Sequence, residues 1–157
     1  MMKDLHTDRV RQPYGFLHEH QHGFMAGLYH EQATFRDIAF DLQGQKRIHA
    51  MWHRICEGDI IVEIDSIEAV RETIIAHVVD RYTFTKTLRK VVNRITSQFR
   101  FCNGLIIEHH DTCNELDWAR QAFGGIQGEL AGRLGVLRRR AARKLMNQIL
   151  EEHPEYR

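Results

Sequence analysis

Hydrophobic and polar residues alternate with a period of two through the middle of the chain. Four segments share this pattern and are rich in β-branched residues: DIIVEIDSIEAV (59–70), ETIIAHVVDRYTF (72–84), RKVVNRITSQFRF (89–101) and GLIIEHHDT (104–112). Such alternation is typical of strands that bury one face. Because the connections between the segments are short, the pattern predicts four consecutive strands paired as an antiparallel meander.

The two ends of the chain have the longer period of helices. Segment 14–35 reads as helix broken at Gly23, and TFRDIAF (34–40) reads as a short strand. Segment 44–56 has an apolar stripe at i, i+3, i+4 and i+7, which predicts a helix. Residues 115–152 are again helical, with five apolar residues on one side: Leu130, Leu134, Leu137, Leu145 and Ile149. This order predicts an α+β fold, a curved antiparallel sheet wrapped around N-terminal helices.

Strand parity assigns side chains to the two faces of the predicted sheet. The more apolar faces also contain polar residues and aromatic neighbours: Asp80 and Tyr82 on the second strand, Asn93, Ser97 and Phe99 on the third, and His109 and Asp111 on the fourth. On the fourth strand Leu105 and Ile107 are predicted to share the inward face, whereas Glu108 and His110 point away.

Buried carboxylates need partners, water or a cavity, because burying an unpaired charge costs several kcal/mol. The inward set therefore predicts an apolar pocket with a few polar groups, the usual form of a small-molecule site. In such a pocket the pKa of a carboxyl group rises towards neutrality, which suits acid–base chemistry. A structural role stays open beside this one, with Asp80 paired to an arginine and Asp111 capping a turn.

Composition narrows the class of protein. The 157 residues suit a single compact unit, and 22 Lys and Arg against 21 Asp and Glu argue against a nucleic-acid binder. Three cysteines without CxxC spacing favour reduced thiols in a cytoplasmic protein. The sequence has no apolar run that predicts a signal peptide or a membrane span, so no membrane partner is expected.

Three other motifs bear on metal and phosphate binding. His49 and His53 lie one helical turn apart, but no third ligand is evident in the sequence, so no metal is expected. HEHQH (18–22) reads as an exposed helix end. RRRAARK (138–144) reads as a solvated helix face or an inter-subunit contact rather than a phosphate or membrane site.

Segments 28–56 and 99–125, which contain ATFRD and NGLIIEHHD, resemble the nuclear transport factor 2-like superfamily and its SnoaL-like branch. Ketosteroid isomerases and limonene-epoxide hydrolases are more distant relatives. The resemblance covers about residues 22–125. It implies a cone-shaped, cystatin-like α+β barrel with a deep apolar pocket, commonly dimeric through its sheet.

The resemblance also implies site residues. Asp37 matches the general base of the isomerases, Tyr14 lies close to their oxyanion-hole tyrosine, and Ser97 stands near their second acid. Asp80 and Asp111 fall on the two acidic positions of the epoxide hydrolases, whereas Val78 stands where those enzymes have an arginine. SnoaL-like cyclases use a single pocket aspartate as acid and base.

Together these features predict a barrel domain over 1–125 and a basic amphipathic helix over 126–157 packed on it. The expected function is cofactor-independent acid–base catalysis, as isomerase, cyclase or hydrolase, on a small apolar molecule bound by a homodimer. A non-catalytic ligand-binding or scaffold protein is the alternative. The predicted catalytic residues are Asp37, Asp80, Asp111 and His109. The predicted substrate-binding residues are Tyr14, Trp52, His53, Tyr82, Asn93, Ser97 and Phe99.

Overall fold

A computed structural model describes residues 2–157, with side chains from residue 7 onward. The elements follow one another as α1 (Met2–His18), α2 (His22–Ala26), β1 (Tyr29–Arg36), β2 (Asp41–Gln43), α3 (Gln45–Cys56), β3 (Ile61–Val70), β4 (Thr73–Phe84), β5 (Arg89–Cys102), β6 (Leu105–Cys113), α4 (Glu115–Phe123), α5 (Gly125–Arg133) and α6 (Gly135–Glu152). A 3₁₀ turn, Pro154–Tyr156, follows α6.

The strands form one curved, unclosed sheet in the order β2-β1-β6-β5-β4-β3. Strands β3 to β6 pair antiparallel in sequence order, which confirms the predicted meander and the α+β class. Strand β1 extends the sheet by pairing parallel to β6, and the short β2 pairs antiparallel to β1. The sheet is therefore mixed rather than purely antiparallel.

Strand β1 begins at Tyr29, so the helix predicted through residue 35 is wrong. The local apolar spacing resembles a helix, but Tyr29, Ala33 and Phe35 are buried by the sheet. Their pairing partners, such as Ile106 opposite Tyr29, belong to β6, which is distant in the sequence. Tertiary pairing thus overrides the local propensity.

A two-residue turn and a β-bulge set the register of β6. Asn103 and Gly104 both have positive φ, 49° and 82°, as a type I′ hairpin turn requires. Next to this turn Phe101 pairs with Ile106, but one step further Arg100 pairs with Glu108. The extra residue, Ile107, is a bulge.

The bulge corrects part of the parity prediction for β6. Ile106 is the buried residue beside the turn, whereas Leu105 and Ile107 are only partly buried. Beyond the bulge the prediction holds, because His109 is buried, Asp111 is largely covered and His110 is exposed.

The main core lies between the inward face of the sheet and helices α1 and α3. Val10 and Leu17 of α1 and Ile48 of α3 are almost fully buried there. The second half of α6 joins this core through Met146 and Ile149. A smaller core holds α4 against β5, with Trp118, Ala119 and Ala122 packed around Val91.

The C-terminal segment is two helices, broken at Leu134, rather than the single helix predicted over 126–157. Three of its predicted inward leucines are instead exposed: Leu130, Leu134 and Leu137. Leu130 is exposed because α5 packs on α4 through small residues instead. A Cβ on Gly128 would lie 2.7 Å from the Ala119 carbonyl oxygen, so only glycine permits this approach.

Across residues 2–157, no helix has both the length and the apolarity to cross a bilayer.

Candidate active site

Asp111 lies at the centre of a group of polar side chains on the inward face of the sheet. Ser97, its partner in the β5–β6 register, donates its hydroxyl hydrogen to Asp111 Oδ1. His109 Nε2 lies 2.8 Å from the same oxygen. The Asp111 side chain is only 14% exposed, so these two bonds offset part of the cost of burying its charge.

A chain of hydrogen bonds behind His109 fixes its tautomer. Trp52 Nε1 can only donate, and it lies 3.3 Å from Tyr29 Oη. Tyr29 Oη therefore donates its own hydrogen to His109 Nδ1, 2.6 Å away. With Nδ1 accepting, the His109 proton is on Nε2, where it bonds to Asp111. The imidazole is also held by the Phe99 ring, whose centroid is 4.2 Å away.

Asp80 is a buried carboxyl group with an unsatisfied oxygen. Its Oδ1 has no hydrogen-bond partner among the described residues. Burial, with a smaller contribution from the nearby Asp111 charge, raises the pKa of Asp80 to about 7. A large share of the Asp80 side chains is therefore protonated at neutral pH. The arginine nearest in sequence, Arg81, does not pair with Asp80, because its guanidinium lies 3.2 Å from Glu63 Oε2.

Tyr14 of α1 adds a second buried polar atom, its hydroxyl oxygen, to this group of side chains. Its hydroxyl is buried and, in the part of the chain described, makes no hydrogen bond of normal geometry, although Ser97 lies beside it. Burial, then the charge of Asp111, raise the pKa of Tyr14 well above its ordinary value. The phenol therefore stays protonated and can donate a hydrogen bond.

Asp37 lies in the turn after β1, and one of its carboxylate oxygens is hydrogen-bonded to backbone amides. Its Oδ1 accepts hydrogen bonds from the amides of Ala39 (2.7 Å) and Phe40 (2.5 Å). Burial nevertheless raises the pKa of Asp37 to about 6, and the Asp111 charge adds to the rise. Asp37 therefore belongs to the same electrostatic group, with one oxygen already used in a turn.

Two other predicted residues lie beside Asp80. Asn93 is its direct partner in the β4–β5 register. Tyr82 accepts a hydrogen bond from Trp118 Nε1 over 2.7 Å, and burial raises the pKa of Tyr82 to about 12. Both groups are neutral and suited to orienting a bound molecule.

His53 is separated from the rest of the predicted site. Its neighbour Trp52 points towards Tyr29, whereas His53 contacts Tyr156 at the end of the chain.

Conversely, the structure adds Tyr29, which the sequence analysis missed because it assigned this residue to a helix. The alternating burial of Tyr29, Ala33 and Phe35 shows strand character only once the parallel partner is known.

Two clefts of the described surface lie away from these carboxyl groups. One, of about 330 Å³, is lined by residues of α1 and β6 that include Arg9, Phe101 and Ile106. The other, of about 680 Å³, lies along α6 between Val136 and Asn147. An apolar pocket at Asp80 and Asp111 therefore stays a prediction.

The arrangement combines groups with different roles in proton transfer. Asp111 accepts two hydrogen bonds on Oδ1, which stabilises its ionised form. Asp80 is held neutral to higher pH by burial. Two neighbouring carboxyl groups in different surroundings are a usual arrangement of a base and an acid.

Comparison with known proteins gives a family and a set of structural relatives. The family model described as SnoaL-like domain matches residues 10–109. A LEH-like epoxide hydrolase from M. tuberculosis is similar in structure, with a TM-score of 0.67, 14% identity, and coverage of 87% of this chain and 98% of that one. No curated protein matches the chain.

Two further solved structures are similar. One is a hypothetical protein with a ketosteroid isomerase-like fold from Catenulispora acidiphila, solved with trimethylamine (TM-score 0.65, 13% identity, 73% of this chain and 91% of that one). The other is SalBIII, an epoxide hydrolase/cyclase-like enzyme in pyran ring formation in the polyether salinomycin (TM-score 0.64, 12% identity, 70% and 91%). At these identities the likeness concerns the fold.

Proposed function

Because this chain belongs to the SnoaL-like domain family, we propose that it is a cofactor-independent acid–base enzyme acting on a small, largely apolar molecule. The observation that carries the proposal is the buried, unpartnered Oδ1 of Asp80, a carboxyl group with a pKa of about 7 beside Asp111. A buried acid without a partner costs stability, and such strongly shifted groups concentrate at functional sites.

The reaction that suits these groups best is the opening of an epoxide. Asp111 takes the proton of the attacking hydroxyl, which belongs either to water or to the substrate itself. Asp80 gives its proton to the epoxide oxygen as the carbon–oxygen bond breaks, so the charges of the pair balance at the end of the step. Tyr14 donates a hydrogen bond to the same oxygen while its negative charge develops.

The absence of an arginine between the two acids is compatible with this role. In the epoxide hydrolases that the chain resembles, an arginine bridges the acidic pair, and here that position is Val78. Burial instead keeps a large share of the Asp80 side chains protonated at neutral pH, so the pair carries less negative charge and has less need of a bridging cation. The epoxide hydrolase and cyclase names among the structural relatives support the same class of reaction.

The test is turnover of two epoxides in buffer that contains a chelator. 1-Methylcyclohexene oxide reports hydrolysis by water, and an epoxide with a pendant hydroxyl group reports cyclisation. We expect Asp80→Asn and Asp111→Asn each to reduce turnover by about 10²- to 10⁴-fold. The exposed Asp65, paired with Arg94 on the outer face, provides the control variant Asp65→Asn. Turnover that survives both inward substitutions would contradict the assignment.

A ligand-binding protein without catalysis is the second candidate, and Val78 in place of the arginine favours it. Such a protein binds the epoxides without consuming them. Calorimetric binding in the absence of any product, with unchanged affinity in Asp111→Asn, would favour this alternative over the enzyme.

A further inference from the structure

A cluster of histidines lies at the junction of α2, α3 and the chain end, apart from the carboxyl groups of the candidate active site. We call His22, His49, His53 and His153 the histidine cluster. His22 Nδ1 lies 2.9 Å from His49 Nε2, and the His22 and His53 rings stack with centroids 4.0 Å apart. The His153 ring centroid is 4.5 Å from that of His53.

Three groups in and beside this cluster have the arrangement of metal ligands. His53 and Glu57 are four residues apart at the C-terminal end of α3, so their side chains point to the same side. His153, which follows α6, approaches from the other side. One ligand atom from each of His53, Glu57 and His153 lies within 4.8 Å of the others.

Both histidines have a partner on one ring nitrogen. His53 Nδ1 lies 2.9 Å from Tyr156 Oη, and His153 Nδ1 lies 3.2 Å from Glu155 Oε1. Histidines that bind metals almost always have such an outer partner, which fixes the ring and leaves the other nitrogen for the ion. Here the nitrogen left on each ring is Nε2.

We propose that His53, Glu57 and His153 form a binding site for a divalent first-row transition-metal ion, with Zn²⁺ the best match. Two imidazoles and one carboxylate are ligands that Zn²⁺ accepts in tetrahedral sites, with the fourth position left to water. Ligands at about 2.1 Å from one ion can be at most about 4.2 Å apart, so the site closes by a small rotation of the exposed Glu57 side chain and the two half-buried imidazoles.

The surroundings favour a cation here. Glu155 adds a second carboxylate beside the proposed ligands, with its Oε1 3.2 Å from His153 Nδ1. Arg54 lies 3.3 Å from Glu57 but is also bonded to Glu152, so it is already neutralised by a second acid.

The sequence could not show this site. His49 and His53 are one turn apart, which suggested a pair without a third ligand, but the structure uses His53 with Glu57 instead. The third ligand, His153, is a hundred residues away in sequence and is brought close because α6 packs against α3.

The experiment uses the full chain, freed of metal by a chelator and dialysed. Zn²⁺ is titrated by calorimetry, and Co²⁺ by its visible absorption, which reports the coordination geometry. The variants are Glu57→Gln and His153→Ala, and the control is His110→Ala, an exposed histidine on β6. Circular dichroism checks that each variant is folded, and Glu57 is exposed enough for its variant to keep the fold.

We expect one equivalent of Zn²⁺ to bind, and a tetrahedral Co²⁺ spectrum. Loss of an outer partner of a ligand typically costs 10- to 100-fold in affinity, so loss of a ligand should cost at least about 100-fold in both ligand variants. The control should bind as the natural chain does. Absence of a one-to-one complex, or equal affinity in Glu57→Gln and the natural chain, would overturn the proposal.

Discussion

Replacing Asp80 by asparagine should stabilise the protein at alkaline pH. The substitution keeps the size of the side chain and removes its ionisation. In the folded chain the pKa of Asp80 is about 7, against an ordinary value of 3.8. Between these two values the unfolded chain releases a proton that the folded chain retains, so the free energy of unfolding falls as the pH rises.

The magnitude follows from the two pKa values. At about 1.4 kcal/mol for each pH unit between them, the natural chain loses about 4 kcal/mol of stability by pH 8. Below pH 3.8 both states are mostly protonated and the loss is under about 1 kcal/mol. For a protein of this size, 1 kcal/mol shifts the melting temperature by about 2–4 °C, so Asp80→Asn should melt about 8–16 °C higher at pH 8.

Urea unfolding at pH 4, 6 and 8, followed by tryptophan fluorescence, measures the difference directly. Asp65→Asn is the matched control, because Asp65 is exposed and should give the same small change at each pH. The reasoning is wrong if Asp80→Asn is no more stable than the natural chain at pH 8, or if its advantage is the same at pH 4.

Three other substitutions test separate parts of the structure. Asp111→Asn should lower the pKa of Asp80, because the Asp111 charge contributes to its rise; carboxyl carbon NMR measures this, and an unchanged pKa would contradict the coupling. Phe99→Ala should cost about 3–5 kcal/mol in urea unfolding, because the ring is fully buried against His109, and a cost below 1 kcal/mol would contradict that packing. Gly128→Ala should cost about 1–3 kcal/mol because the new Cβ meets the α4 backbone. Gly15→Ala, which meets nothing within 4 Å, is its control and should not destabilise.

Strand parity was sufficient to predict most of the candidate site. The pairing register of β4 with β5 is uninterrupted, so the burial of Ser97 and Phe99 and the inward position of Asp80 follow from counting residues. On β6 counting residues assigns the wrong face to the residues between the turn and Ile107. The bulge depends on the turn beside it and not on the strand's own pattern.

Other parts of the molecule depend on contacts between distant segments. Tyr29 becomes a strand residue because β6 lies parallel to it, and no local signal carries that information. The exposed Leu130 shows the same limit, since α5 packs against α4 with the side that carries Gly128 and Gly132. His153 joins His53 only through the packing of α6 on α3.

The surplus residue at Ile107 has a consequence for how such a site can change. If Ile107 stayed in the chain but paired without the bulge, the register of the tight turn would continue through the hairpin, and Ser97 would face His110 in place of Asp111. Deleting Ile107 has the opposite effect, because Glu108 then follows Ile106 directly and Ser97 still faces Asp111. The bulge thus decides whether a carboxylate or an imidazole stands opposite the serine hydroxyl, and a redesign that keeps the chain length but forces regular pairing would exchange one for the other.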